Sequence, residues 1–370
     1  MDITLVDRNG RHYTPAAHRW RGDDGEPLHL PPLPGLTRSD VVTNDFSMWR
    51  YRKALPFADS RLSLGEGCTA LIAVNDELSF LAKAEWMNPT CSFKDRGVSA
   101  MVTALKALGA HRILEDSSGN AGSSVAAYAR AAGIEATIVV PASTSSQKVD
   151  QMEDFGAKVC RVAGTRDHVA DESRRMAQDI PYASHNWSPY FLHGIKTLGY
   201  EIWENLGFTL PDNIVTVAGS GSIALGLDLA FTELKNCGEI AASPRIFIGQ
   251  PKGWDPIVAT ITRLEYTQSP RAMLAEGASI AQPVRRLEVA DAVVRTGGTG
   301  VSVDDDDIAQ STRYLIDHGL YAEPTSAVAH AAFRKLVRNS TIHTSEQSVL
   351  ILTGTALKAT SATRTALQRH

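Results

Sequence analysis

The sequence predicts an α/β protein: two open, doubly wound parallel-sheet domains behind a short, metal-free, ribbon-like N-terminal hairpin. Three observations predict it. From about residue 70, short apolar runs rich in Val and Ile alternate with stretches of helical periodicity. Several of these runs pass into helices through Ser/Gly-rich loops, as at 117–122 and 219–222. The chain has 370 residues, 43% hydrophobic and 21% charged, which is enough for two packed cores. Repeated βα units with apolar strands imply parallel sheets covered on both faces.

In order, residues 1–33 stand apart. LVDRNGRHYTPAAHRWRGDDGEPLHL outlines two short knuckles, each ending in glycine. Zinc ribbons place Cys-x-x-Cys-Gly at such knuckles. Here Val6, Asn9, Arg21 and Asp24 stand where thiolates would be needed, so a ribbon-like hairpin without metal is expected. A larger α/β domain is expected from 34–94 and 191–370, with a smaller one, 95–190, inserted. TALIAV and LSFLAKAE read as a β-hairpin around Asn75 and Asp76. RILEDS, EATIVVP, AKVCRVA and YASHN read as strands, and AGSSVAAYARAAG, SSQKVDQMEDFG and HVADESRRMAQDI as the helices between them. The helix LHGIKTLGYEIWENLG leads to a second series: NIVTVAGSG, SPRIFIGQ, a helix over 304–319 and SVLILTG. Asp304, Asp305, Asp306 and Asp307 suit the N-terminus of that helix better than a metal site.

Bulk properties exclude several functions. A net charge of −4 gives no reason to expect nucleic acid. No apolar run reaches the ~18 residues of a membrane helix. The start, MDITLVDRNGRHYT, has neither signal-peptide nor transit-peptide character. Cys68, Cys91, Cys160 and Cys237 are scattered without Cys-x-x-Cys, which points to reduced thiols and a cytoplasmic location.

Four stretches carry chemistry. In NPTCSFKDRG, Asn-Pro-Thr marks a turn, Thr90 or Ser92 can cap a helix, and Lys94 falls in that helix's first turn. The helix dipole disfavours a cation there. Lys94 is either a solvated surface lysine or an amine kept neutral as nucleophile and base. In TVAGSGSIALGLDLAF, a β-branched strand runs into Gly219, Ser220, Gly221 and Ser222 and then a helix: a phosphate cradle, a dinucleotide site or a tight turn. The dinucleotide reading wants an acid at the end of the next strand, where Gln250 stands instead. In EDSSGNAGSSVAAYARAAG, the loop Ser117-Ser118-Gly119-Asn120-Ala121-Gly122 suits a carboxylate at a helix start, or is a capped turn. In VLILTGTALK, a strand delivers Thr353 to its C-terminal end, where ligands collect in open α/β sheets. Together the four supply what pyridoxal 5'-phosphate uses: an activated lysine, a phosphate cradle, an amide-bearing anion loop and a hydroxyl.

The words FSMWRYRKALPF, LSLGEGCTALI, KAEWMNPTCSFKDRG, SSGNAG, GSGSIALG, YAEPTSAVA and LTGTALK stand in one order from about residue 46 to 358. In these the chain resembles the threonine synthase family of fold-type II pyridoxal-phosphate enzymes. The resemblance implies that Lys94 forms the internal aldimine and later moves protons, and that Phe93 flanks the ring. It implies that Asn120 serves the phenolic oxygen, that Gly219, Ser220, Gly221, Ser222 and Ile223 hold the phosphate, and that Thr353 faces the pyridine nitrogen. Ser117, Ser118, Ala121 and Gly122 would lie near the substrate carboxylate, with Thr90 also on the substrate. Lys83 and Asn186 would face its distal group. A homodimer acting on a small amino acid is implied too. A hydroxyl at the ring nitrogen, unlike a carboxylate, does not keep it protonated, which suits elimination and replacement at Cβ or Cγ.

Departures concern the substrate. Cys91 stands where the family has glycine, Cys68 and Ala70 alter the GEG loop, and Ala163-Gly164 stands where relatives carry Arg-Gly, with Arg166 nearby. Thr355-Ala356 also departs from the family's usual pair. Cys91 is read as packing, and His185, His193 and His330 as structural. The leading expectation is conversion of O-phosphohomoserine and water to threonine and phosphate. The alternative keeps the cofactor for β- or γ-replacement or elimination on another amino acid, serine-like or phosphorylated, in specialised metabolism. A non-catalytic pyridoxal-phosphate protein and a nicotinamide dehydrogenase are the outside readings.

Overall fold

A computed structural model describes residues 3–144, 146–164, 166–269 and 273–369. In chain order the strands are β1 (Leu5–Val6), β2 (His12–Tyr13), β3 (Leu71–Val74), β4 (Phe80–Ala84), β5 (Arg112–Glu115), β6 (Glu135–Pro141), β7 (Lys158–Val162), β8 (Asn213–Val217), β9 (Arg245–Pro251), β10 (Gly300–Val303) and β11 (Ser348–Leu352). The helices are α1 (Lys94–Ala107), α2 (Asn120–Ala132), α3 (Ser146–Asp154), α4 (Arg166–Met176), α5 (Pro189–Ile195), α6 (Thr197–Asn205), α7 (Ser222–Asn236), α8 (Pro256–Thr262), α9 (Arg286–Arg295), α10 (Asp305–Asp317), α11 (Pro324–Arg338) and α12 (Thr360–Gln368). The chain divides into two compact units, Met1–Cys68 with Lys94–Thr197 and Thr69–Phe93 with Leu198–His370.

The first unit is built on a parallel sheet of order β5-β6-β7. YASHN, expected as a fourth strand, contributes only an isolated bridge from Tyr182 to Leu114. Leu114 exchanges its backbone bonds with Pro181 and Ala183, and the chain then turns at Ser184, whose carbonyl accepts from Trp187 and Ser188. Residues 34–68 belong to this unit, whereas the sequence placed them in the larger domain. The reason is a buried polar knot. Trp49 Nε1 donates to Glu66 Oε1 and Ser99 Oγ, each at 3.0 Å, Ser99 donates to Glu66, and Tyr128 donates to Glu66 Oε2 at 2.7 Å. Met48, Trp49 and Leu55 pack with Ala100 of α1 around it.

The N-terminal knuckle is organised by a carboxylate. Asp7, 1% exposed, accepts from the Asn9 and Arg11 backbone N–H groups at 2.8 and 3.0 Å and from Tyr13 Oη at 2.8 Å. These bonds close the turn between β1 and β2.

The second unit holds a six-stranded sheet of order β10-β9-β8-β11-β4-β3. All neighbours are parallel except β3, the antiparallel edge partner of β4, which gives the expected hairpin. β8 (NIVTV) and β11 (SVLIL) are buried at every position, as strands covered on both faces must be. Their core includes Val215, Phe247, Val328 and Leu350. The four aspartates form a helix start: Asp304 caps α10 by accepting from Asp307 N–H at 2.9 Å, and Asp307 returns the bond at 3.0 Å. The single helix expected over 192–207 is two, α5 and α6. They part at Lys196, where Thr197 Oγ1 donates to Gly194 O at 2.6 Å. Among the described residues no helix is long and apolar enough to cross a membrane.

Candidate active site

In the second unit, β8, β11 and β4 run parallel, and Leu350 pairs with Val215 and Leu352 with Ala84. Their C-terminal ends therefore share one edge of the sheet. There β8 becomes the loop 218–221. A Cβ at Gly219 would lie 3.0 Å from Gly277 O, and one at Gly221 would lie 2.4 Å from Val289 Cγ2, with φ already at +83°. Only glycines leave this cradle open. Ser222 and Ile223, both buried, start α7, and Gly221 offers no side-chain cap. The N–H groups of the first turn are thus available to an anion, and the helix's positive end favours one. Gln250 explains the missing acid on β9. Its Nε2 donates to Ala218 O at 2.9 Å, and its Oε1 accepts from Ile257 and Val258 N–H at 2.9 and 3.0 Å. An ionised carboxylate could accept but not donate to Ala218 O, so the amide at this position braces the cradle and the start of α8. Gly221→Ala is expected to cost about 1–3 kcal/mol in stability, from the left-handed backbone and the Val289 clash. Thermal melts, and cofactor retained after dialysis, check it.

Thr353 follows β11 and is 1% exposed. Its carbonyl accepts from Phe93 N–H at 3.0 Å. Its Oγ1 lies 3.0 Å from Ser326 Oγ, which accepts from Gly354 N–H at 3.0 Å and also stands 3.2 Å from Gly354 O. Ser326 has one proton to give. If it goes to Gly354 O, Thr353 must donate to Ser326; if it goes to Thr353, the threonine proton is left for a ligand. Thr353 can therefore meet a ring nitrogen as donor or turn a lone pair to it. Ser326 was not singled out from the sequence, where its one signal was a place in YAEPTSAVA. Ser92 bridges Gly354, and its buried Oγ has no hydrogen-bond partner among the described residues. A buried hydroxyl in want of a partner, two residues before Lys94, is what a polar ligand would satisfy.

Thr90 is buried, and its carbonyl accepts from Lys358 Nζ at 2.9 Å. Cys91 has φ +64°. The left-handed region costs a non-glycine residue about 1–2 kcal/mol, while glycine's extra unfolded-state freedom returns about 0.5–1 kcal/mol of that. Cys91→Gly is expected to raise stability by about 0.5–1 kcal/mol, read from denaturant melts. The sequence expectation for Lys83 needs correction. Its three protons already have three acceptors inside the second unit: Thr69 O at 2.7 Å, Glu201 Oε1 at 2.6 Å and Asn205 Oδ1 at 2.9 Å. Fully buried, Lys83 holds the start of β3 and α6 together and is not left to face a substrate.

In the first unit, Lys94 opens α1, immediately after Phe93. Its Nζ lies 5.5 Å from the centre of the Phe191 ring. That ring reaches the first turn because residue 97 is glycine: a Cβ there would be 2.3 Å from Phe191 Cε2. β5 ends at Glu115, and the chain turns through 116–119 into α2, which begins at Asn120. Gly122 makes the turn possible, since a Cβ there would lie 2.1 Å from Ser117 O. Gly119, at the cap position, gives no side-chain bond, and the positive end of α2 lies beside Ser117, Ser118 and Ala121. Asn186 lies in the turn after Tyr182, with its Oδ1 buried and without a hydrogen-bond partner among the described residues. The structure thus puts Lys94, the 117–122 loop and Asn186 in one unit, and Thr90, Phe93, the glycine cradle and Thr353 in the other.

Each unit, taken by itself, fits the anion and polar groups of pyridoxal phosphate, and the comparisons agree. A family profile described as pyridoxal-phosphate dependent enzyme matches residues 62–354, which fixes the class of protein. The threonine synthase of Methanosarcina acetivorans is 34% identical over 325 residues, covering 84% of this chain and 80% of that protein. The threonine synthase of Methanocaldococcus jannaschii is 31% identical, covering 87% and 83%. Among solved structures, the processed form of threonine deaminase isoform 2 from Solanum lycopersicum shares the fold with TM-score 0.70 at 20% identity over 89% of each chain. Maize serine racemase does so with TM-score 0.67 at 21% identity, covering 82% of this chain and 94% of its own. The chain belongs to the threonine synthase family of fold-type II pyridoxal-phosphate-dependent enzymes. Its cofactor is pyridoxal 5'-phosphate.

Proposed function

We propose that the enzyme is a carbon–oxygen lyase that converts O-phosphohomoserine and water to threonine and phosphate, with Lys94 as its central residue. The observation that carries this reading is Lys94 itself, at the head of α1 directly after a segment bonded to Thr353. When bound, pyridoxal phosphate supplies an aldehyde that captures amines and a ring that draws electrons from the amino acid's Cα. Gly219, Ser220, Gly221, Ser222 and Ile223 would hold its phosphate, Thr353 would meet its ring nitrogen, Asn120 its phenolic oxygen, and Phe93 would flank it. Lys94 takes the proton from Cα and handles those that leave Cβ and arrive at Cγ as phosphate departs. Water then gives its oxygen to Cβ, and Cα regains a proton. One amine on a flexible four-carbon stem can reach all three carbons, and a helix N-terminus helps keep it neutral. Ser117, Ser118, Ala121 and Gly122 receive the substrate carboxylate at the start of α2, and Thr90 and Asn186 contact the rest of the substrate. Arg166, at the start of α4, acts electrostatically on Asp116 and His185 and brings positive charge near that loop, where a leaving phosphate needs it. A cytoplasmic homodimer completes the reading.

A second reading, replacement or elimination on a serine-like or another phosphorylated amino acid, is favoured by Ala163-Gly164 after β7, where relatives carry an arginine. One substrate panel decides. Phosphate and threonine released together from O-phosphohomoserine support the first reading. Turnover of serine analogues alone, with none of O-phosphohomoserine, overturns it in favour of the second.

A further inference from the structure

Glu115 and His185 lie 70 residues apart in sequence and meet in the first unit. Both are buried, Glu115 at 0% and His185 at 5% exposure. Glu115 Oε1 lies 3.0 Å from His185 Nδ1 and accepts from Asp116 N–H at 3.0 Å, while Oε2 accepts from His185 N–H at 3.2 Å. When Glu115 is ionised it can only accept, so the two backbone N–H groups and the ring all donate to it and the imidazole carries its proton on Nδ1. The His185 ring packs edge-on against Phe191, with centres 6.0 Å apart, and Phe191 is the ring beside Lys94 Nζ. Pairing within the fold does not require an ionisable pair at this place. Yet it stands at the end of β5, one residue before the anion loop, in the electrostatic reach of the amine.

We propose that the Glu115–His185 pair is the charge partner of Lys94, a buried carboxylate steadied by a neutral imidazole that sets how readily the amine gives up and regains its proton. It rests on the reading of Lys94 as the reactive amine. The groups facing the pair are Lys94 from α1, Arg166 from α4 and the neighbouring Asp116, which is itself hydrogen-bonded by Tyr182 and Ser184 from the turn. Burial pushes Glu115 up to about 7, against the pull of its hydrogen bonds and of Lys94. Burial, and then the Lys94 charge, hold His185 well below its usual range, so the imidazole stays neutral. Asp116 is raised to about 6 by burial and by Glu115. From near neutral pH upward the pair thus carries one negative charge, which favours the Lys94 ammonium.

The test uses the full-length protein stripped of cofactor. Labelling of Lys94 by an amine-reactive reagent, followed by peptide mass spectrometry across pH, reads its titration midpoint directly. Glu115→Gln removes the charge. His185→Leu removes the ring donor, raises Glu115 further and neutralises it at the working pH. Both are expected to lower the Lys94 midpoint by about one pH unit, a roughly tenfold rise in free amine at fixed pH. A Lys94 midpoint unchanged in either folded variant overturns the proposal, whatever happens to stability; if Glu115→Gln does not fold, His185→Leu carries the test. Because labelling reads the free amine, the proposal can fail while the reading of Lys94 and of the substrate stands.

Discussion

Lys94→Ala is expected to fold normally, to lose the visible absorbance of bound cofactor and to lower turnover by about 100- to 10,000-fold or more. That range is what a positioned acid–base group contributes, and Lys94 is assigned covalent attachment as well. The fold should survive for a physical reason. Alanine is the best helix former, and its methyl group removes a cation from a helix start where the dipole disfavours one. The packing of Phe191 on α1 depends on Gly97, which the variant keeps. Circular dichroism, the visible spectrum and product formation check the three parts separately. Full activity with retained colour would contradict the assignment.

Lys83→Met is expected to cost about 3–5 kcal/mol of stability, because it strands one half of a buried ion pair. Glu201 is 1% exposed, and the Thr69 N–H, 2.8 Å from its Oε1, is a neutral donor that cannot replace the lost cation. Thr69 Oγ1 cannot make up the loss, since its single proton already has Glu85 at 2.7 Å as a closer acceptor. Denaturant unfolding measures the effect. A substrate-binding lysine would behave differently: KM would rise and the unfolding midpoint would stay where it is.

The difference between these two lysines shows what the sequence can and cannot carry. Lys94 was legible because its meaning is local: a turn, a capping residue, a helix start and a cation out of place, all within ten residues. The glycine cradle was legible for the same reason, since a strand, Gly-Ser-Gly-Ser and an apolar helix are contiguous. The alternation of apolar strands and periodic helices likewise gave the two parallel sheets, and the β3–β4 hairpin followed from Asn75 and Asp76 between two apolar runs. Lys83 was not legible, because its role is decided by Glu201, 118 residues away. Glu115 was passed over, and His185 was read only as structural, for the same reason: neither stands out in its own segment. YASHN has a strand's composition but pairs through one residue, as the chain must turn at Ser184. Residues 34–68 carry little periodicity, and their allegiance to the first unit is settled by Glu66, Ser99 and Tyr128, which no local pattern announces.

The most direct measurement of the central claim is borohydride reduction of the purified enzyme, followed by peptide mass spectrometry. The account predicts one added pyridoxal-phosphate group, on the peptide that contains Ser92, Phe93 and Lys94, with the modification on Lys94. Modification of a different lysine, or none in protein saturated with the cofactor, would contradict it.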